Sequence, residues 1–385
     1  LSAATGVGDS QFTLIQHEEQ VQAFLPQSWN LQPYSPARNI LDRATKVPTN
    51  GAVQQVGGRM LVYDQENGRV WHGTTDEMLE VDFHRDKADL EVGEFGVATL
   101  TTSGKVIGLN PNDATLVRME GETVVTTPVP MEFNPEARDF EISAVGDTAV
   151  VLNRGTAQVW AEGLPKAFTI SGRTQAMLLP PVDAILGGEG RARAVLVTRA
   201  GLQAISSDGI RSLSGMVDLL PVRPVQVGDC LYGAFANGPG EGRLVKRCAG
   251  EEPVVTELEH LTSDGSQLAF QVNRTTVALN DLSNGTVWLV NRGTVILPAD
   301  WENVRPVIES DDTEITEGDP TVVPDRSLEN RPPVAVDDEL GARAGQSTIL
   351  SILDNDTDPD GDILTITVNA TDLEGAEKII AGTAR

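Results

Sequence analysis

The sequence lacks any uninterrupted apolar run near the ~20 residues that a membrane-spanning helix needs. Its best stretch, residues 176–186, is broken by Pro180, Pro181 and Asp183. Basic residues are scarce: 29 Lys+Arg against 56 Asp+Glu leave a formal charge of −27. A field of that sign repels phosphate backbones and anionic lipid, which argues against nucleic acid as a partner and against membrane contact within this segment. Histidines number four, and His17, His72, His84 and His260 build no local metal-ligand spacing. His17-Glu18 starts a zinc-protease motif, but residue 21 is Val where the second ligand belongs. Neither a Gly-x-Ser-x-Gly elbow nor a phosphate-cradling Gly-rich loop is present. No catalytic or cofactor-binding residues can therefore be named, and catalysis stays an open question. Helical periodicity is equally sparse; residues 77–90 are helix-compatible but carry no clean apolar face.

What the chain does have is 385 residues and 40% hydrophobic composition, enough for two domains or one large repeat array and too much for wholesale disorder. One pattern recurs: an apolar strand, a short polar turn with Gly, then a second strand with Val, Ile or Trp. It runs through 60–71, 97–107, 149–160, 194–205, 230–248 and 277–288, with glycines at Gly68, Gly104, Gly155, Gly201, Gly242 and Gly285. These glycines are separated by 36, 51, 46, 41 and 43 residues, close to the length of a four-stranded propeller blade. Residues 13–15 and 21–25 supply a seventh hairpin upstream. The expected fold is all-β, with a β-propeller over 1–304; seven blades fit best, six or eight remain compatible, and an array of β-sandwiches is the competing architecture.

Two cysteines, Cys230 and Cys248, flank a hairpin centred near Pro239 at equal distances. Facing each other across antiparallel strands, they have a separation suited to a disulfide, which would place the chain in an oxidising, non-cytosolic compartment. The alternative is two unpaired core thiols.

From Arg305 the composition shifts. Residues 305–330 are rich in Asp, Glu and Pro and read as an extended, self-repelling linker, although part of it would also serve to cover a blade edge. Strand alternation returns in 347–353 and 363–368, within a second unit spanning 331–385. Between them lies Asp354-Asn-Asp-Thr-Asp-Pro-Asp-Gly-Asp362. Asp356, Asp358, Asp360 and Asp362 recur every second residue, and carboxylates crowded in one turn suit a hard cation such as calcium. Asp338 is placed to complete such a site. The turn is not an EF-hand, because residue 367 is Thr where a bidentate Glu belongs. The competing reading is a solvated acidic turn.

The order Asn330-Arg-Pro-Pro-Val-Ala-Val-Asp-Asp-Glu339, a Gly-Gln-Ser-Thr-Ile-Leu segment, then Leu353-Asp-Asn-Asp-Thr-Asp-Pro-Asp-Gly-Asp362 resembles the tandem bacterial Ig-like (cadherin-like, fibronectin-type) repeats of large surface proteins. The resemblance implies a β-sandwich, truncated here, an extracellular setting, and calcium near the Asp-rich turn. Arg outnumbers Lys 23 to 6, a bias associated with high-GC, actinobacterial sequences. A start at Leu1 rather than Met reads as a fragment with a signal or anchor upstream. Residues 64–71 also resemble the tryptophan repeat of quinoprotein dehydrogenase propellers. That family sets Trp four residues after Gly, whereas here the offset is three at Trp71 and Trp288 and five at Trp160, so these rings are read as blade packing. The function expected is a secreted or surface-attached, adhesin-like protein. Its propeller head would bind a protein or glycan and calcium would stiffen its stalk; the alternative is a carbohydrate-active or quinoprotein-like propeller enzyme.

Overall fold

The computed structural model describes residues 13–297, apart from 18–19, 36–39, 42, 122, 173–174 and 187–191, together with 332–336. The chain divides into two compact units, Leu1–Trp301 and Glu302–Arg385. The first unit is a seven-bladed β-propeller. Its antiparallel sheets, taken in order as blades 1 to 7, occupy 13–46, 51–91, 97–128, 140–169, 177–212, 225–257 and 268–296. Each has four strands, with a fifth short strand added to blade 1. The first strands of neighbouring blades approach one another around the ring, and that of blade 1 (Thr13–His17) meets that of blade 7 (Leu268–Asn273). First strands therefore line the axis. Every blade uses consecutive strands, so among the described residues the ring closes without a strand shared between its two ends.

A sheet this small cannot bury itself, and its two faces go to two different neighbours. In blade 2, Met60 and Val62 join Leu31, Trp71 and Phe83 in the core shared with blade 1. The intervening Leu61 packs with Leu100, Val106 and Val117 of blade 3. Successive residues of a strand point to opposite faces, so a strand buried on both sides reads as an unbroken apolar run. Thr148–Asn153 and Ala194–Thr198 are such strands.

The turn between second and third strands is the true repeat unit. Four residues long in blades 1 to 4, it ends in a left-handed residue: Trp29, Gly68, Ala114 and Ala157, with φ of 52°, 66°, 50° and 56°. These are spaced by 39, 46 and 43 residues. The carbonyl of each accepts a hydrogen bond from the residue that opens the connection to the next blade: Val47, Val92, Val129 and Ile170, at 2.8–2.9 Å. The turn thus fixes where the next inner strand begins. Its first position is an Asp or Asn in blades 2, 3, 4 and 7, whose side chain accepts backbone N–H groups of the turn. Buried Asp64 and Asp281 are the charged cases. Burial pushes both carboxyls up, but hydrogen bonds outweigh it and hold them below the ordinary range, from Arg69 and Asn67 for Asp64 and from Ser283, Ser263 and Thr262 for Asp281.

Three expectations are corrected by this geometry. Gly104 lies in the turn between the first and second strands of blade 3 and is out of phase with the other glycines, which accounts for the uneven 36 and 51. Counted from the turn's Asp or Asn, Trp71, Trp160 and Trp288 all stand seven residues on. They are equivalent, buried, and donate their indole N–H to the backbone carbonyls of Asp86, Leu164 and Glu259. A one-turn-and-a-half helix, α1 (Thr75–Glu80), sits in blade 2 where no clean helical face was legible; a capping box between Thr74 and Glu77 starts it. Cys230 and Cys248 are directly opposite in blade 6 and joined by a disulfide.

Ala114 occupies a conformation that costs an L-residue roughly 1–2 kcal/mol. Ala114→Gly should stabilise the propeller by about 1 kcal/mol in urea unfolding. Replacing both cysteines by Ala should lower stability by about 3 kcal/mol, and the same loss should follow dithiothreitol treatment of the parent chain but not of the variant.

Candidate functional site

Up-and-down strands put the connections between blades, and the turns between second and third strands, on one face of the ring. At the axial mouth of that face, four side chains far apart in sequence come together. Glu141 is the second residue of blade 4's inner strand (Phe140–Val145). Its carboxylate is held by two guanidiniums, with Arg154 donating to Oε2 at 3.2 Å and Arg223 to Oε1. Arg154 opens the blade 4 turn, and Arg223 lies in the connection from blade 5 to blade 6, where it also donates to the carbonyl of Leu178 at 3.2 Å. Tyr63, at the end of the second strand of blade 2, feels both charges: burial, and then Glu141, push its phenol up to about 12 against the lowering by Arg223. A tyrosine of blade 2 senses an acid of blade 4 and an arginine between blades 5 and 6 because the ring brings all of them to its axis.

The electrostatics of this cluster are simple. Two guanidiniums share one carboxylate, leaving one net positive charge at the axis of a chain whose formal charge is −27. Glu141 is largely covered, 14% exposed, whereas Arg223 is 47% exposed. Among the described inner strands Glu141 is the sole carboxylate, so they bring no second acid beside it. The walls are otherwise neutral. Gln54 of blade 2 ties its inner strand to that of blade 3, accepting from the Leu100 N–H at 2.8 Å and donating to Thr99.

Further along the axis, toward the opposite end, lies an apolar cavity of about 230 Å³ lined by Leu179, Pro181, Val182, Val225, Phe270 and Val272. The long connection after Met177–Leu178 builds it. Pro180 and Pro181 cannot extend a strand, and Val182 instead pairs in parallel with Val145 of blade 4. Gln226 of blade 6 clamps the loop by donating to Ala184 O and accepting from Leu186 N.

Of the residues singled out from sequence, Cys230 and Cys248 are joined, so the nearby Asp229 carboxylate does not share a metal with two thiolates. Asp338, Asp356, Asp358, Asp360 and Asp362 lie outside the described residues. Tyr63, Glu141, Arg154 and Arg223 were not singled out. Their only sequence signal is position, beside a turn or a connection between blades, and it becomes legible once the seven-residue step from turn Asx to Trp fixes the blade phase.

Residues 330–384 match the bacterial Ig domain. No curated protein matches the chain. Among solved structures, the chain is similar to virginiamycin B lyase from Staphylococcus aureus, at 9% identity over 70% of this chain and 91% of that one, with a TM-score of 0.45. It is also similar to apo AztD from Citrobacter koseri, at 11% identity, 75% and 81% coverage and a TM-score of 0.47. For Kluyveromyces lactis Hsv2 the values are 6% identity, 75% and 98% coverage and 0.43. Likenesses this distant say nothing of ligand or reaction.

Tyr63 has a measurable signature. Its folded pKa of about 12 exceeds the ~10 of an unfolded tyrosine, so between those values the unfolded chain binds fewer protons and stability falls as pH rises. The contribution is fully present below pH 10 and its loss amounts to about 3 kcal/mol by pH 12. Tyr63→Phe should flatten this part of the curve, read as urea midpoints at pH 9 and pH 11.

Proposed function

We propose that the chain belongs to an extracellular, surface-displayed recognition protein. The propeller is a head that binds a protein or glycan, residues 305–330 space it, and the Ig-like unit from 331 begins a stalk. Calcium held by Asp338, Asp356, Asp358, Asp360 and Asp362 stiffens that stalk. The observation that carries the recognition role is the axial mouth: charged donors from three separate parts of the ring converge there around one carboxylate, with one guanidinium open to solvent. Binding needs such preorganised donors, whereas glycoside hydrolysis needs two carboxylates roughly 5–10 Å apart, and the inner strands bring one acid that is already paired. Two further facts support the location. A bacterial Ig domain accompanies the propeller in the same chain, and a disulfide joins strands of blade 6, which suits an oxidising compartment.

Surface display is checked by brief protease treatment of intact producing cells. Propeller peptides should be released before any cytosolic marker, and retention of the propeller until lysis would overturn the reading. Calcium has its own test. Limited proteolysis of the full chain should cut faster near Asn355 in EGTA than in millimolar calcium, and equal rates would remove calcium from the stalk.

A further inference from the structure

The mouth's donors are only partly used, and what remains uncommitted has a definite chemistry. Arg223 spends Nη1 on Glu141 and on Leu178 O, and Arg154 spends Nη2 on Glu141. Their other N–H groups make no hydrogen bond to the described residues. The Tyr63 hydroxyl likewise makes none, and burial keeps it protonated far above neutral pH, so it is a fixed neutral donor. Guanidinium edges and a phenol O–H around one spot match the oxygens of a carboxylate.

Beside this cluster the same face carries an aromatic platform. Phe95 stands two residues before the inner strand of blade 3 and Arg138 two before that of blade 4. Both have left-handed backbones, φ 61° and 53°, where bulky side chains are seldom found. The Arg138 guanidinium stacks 5.1 Å from the Phe95 ring centroid. One ring face is taken, and the partly exposed remainder offers the flat apolar surface on which a sugar's C–H face lies. Arg138 is joined to the charged cluster through its neighbour, since the Asp139 carbonyl accepts from Arg154 N at 2.6 Å. An acidic peptide would satisfy the arginines and leave the aromatic platform without a role.

Resting on the recognition reading above, we propose that this mouth binds a carboxylate-bearing sugar, a hexuronate, with Arg223, Arg154 and Tyr63 donating to its carboxylate and Phe95 packing against its ring. Glu141 then acts as a positioning residue that fixes both guanidiniums.

The test is titration calorimetry of the full chain with trigalacturonate, with neutral α-1,4-galactotriose and with triglutamate. Trigalacturonate should bind at least tenfold more tightly than either. Arg223→Gln should weaken it tenfold or more, and Tyr63→Phe, which keeps the ring and its packing, several-fold. Arg223→Lys should fall between, because the charge survives and the planar fork does not. Absent trigalacturonate binding, equal binding of galactotriose, tighter binding of triglutamate, or wild-type affinity in both Tyr63→Phe and Arg223→Gln would each overturn the site. None of these outcomes touches the recognition reading, which fails instead if the propeller is not shed from intact cells.

Discussion

Sheet-on-sheet packing between neighbouring blades is the interaction from which the other features of the propeller follow. Each blade is a four-stranded sheet with two apolar faces and no helix layer to cover either. Only a neighbour on each side removes both faces from water, and repeating that requirement closes a ring. The cores are accordingly shared: Leu61 belongs with blade 3 and Met60 with blade 1, although they are consecutive in one strand. Closure in turn creates an axis, and the axis is where residues as distant as Tyr63 and Arg223 act on one another.

The sequence shows this architecture unevenly, and for physical reasons. Cysteines 230 and 248 were legible as a pair because their contact is local, across a single hairpin. The blade count was legible because tight turns favour glycine. The phase was not, because glycine is only one way to satisfy a left-handed position: Trp29, Ala114 and Ala157 do the same, while Gly104 serves a different turn. The Asp or Asn that opens the turn is the better marker, since its side-chain bonds to the backbone are what the turn demands. The charged mouth was invisible because nothing within a local window links residues 63, 141, 154 and 223.

The two ends of the axis differ in kind. One carries an excess positive charge set in a strongly acidic chain, and the other an apolar cavity walled by a proline-interrupted loop. Physiological salt screens the surrounding acids beyond about 8 Å, so a small anion at the mouth responds mainly to the guanidiniums it touches. Selectivity there is a short-range matter of hydrogen-bond geometry, and net charge governs only the distant approach.

Blades 1 and 7 meet without lending each other a strand, so backbone hydrogen bonds stop on either side of their junction and side chains alone span it. Tension drawn through the chain across that junction would pull the wheel apart there, peeling it sector by sector instead of shearing a hydrogen-bonded ladder all at once. For a head displayed on a stalk in flowing liquid, such a weak line limits how hard a tethered ligand can tug before the grip is lost.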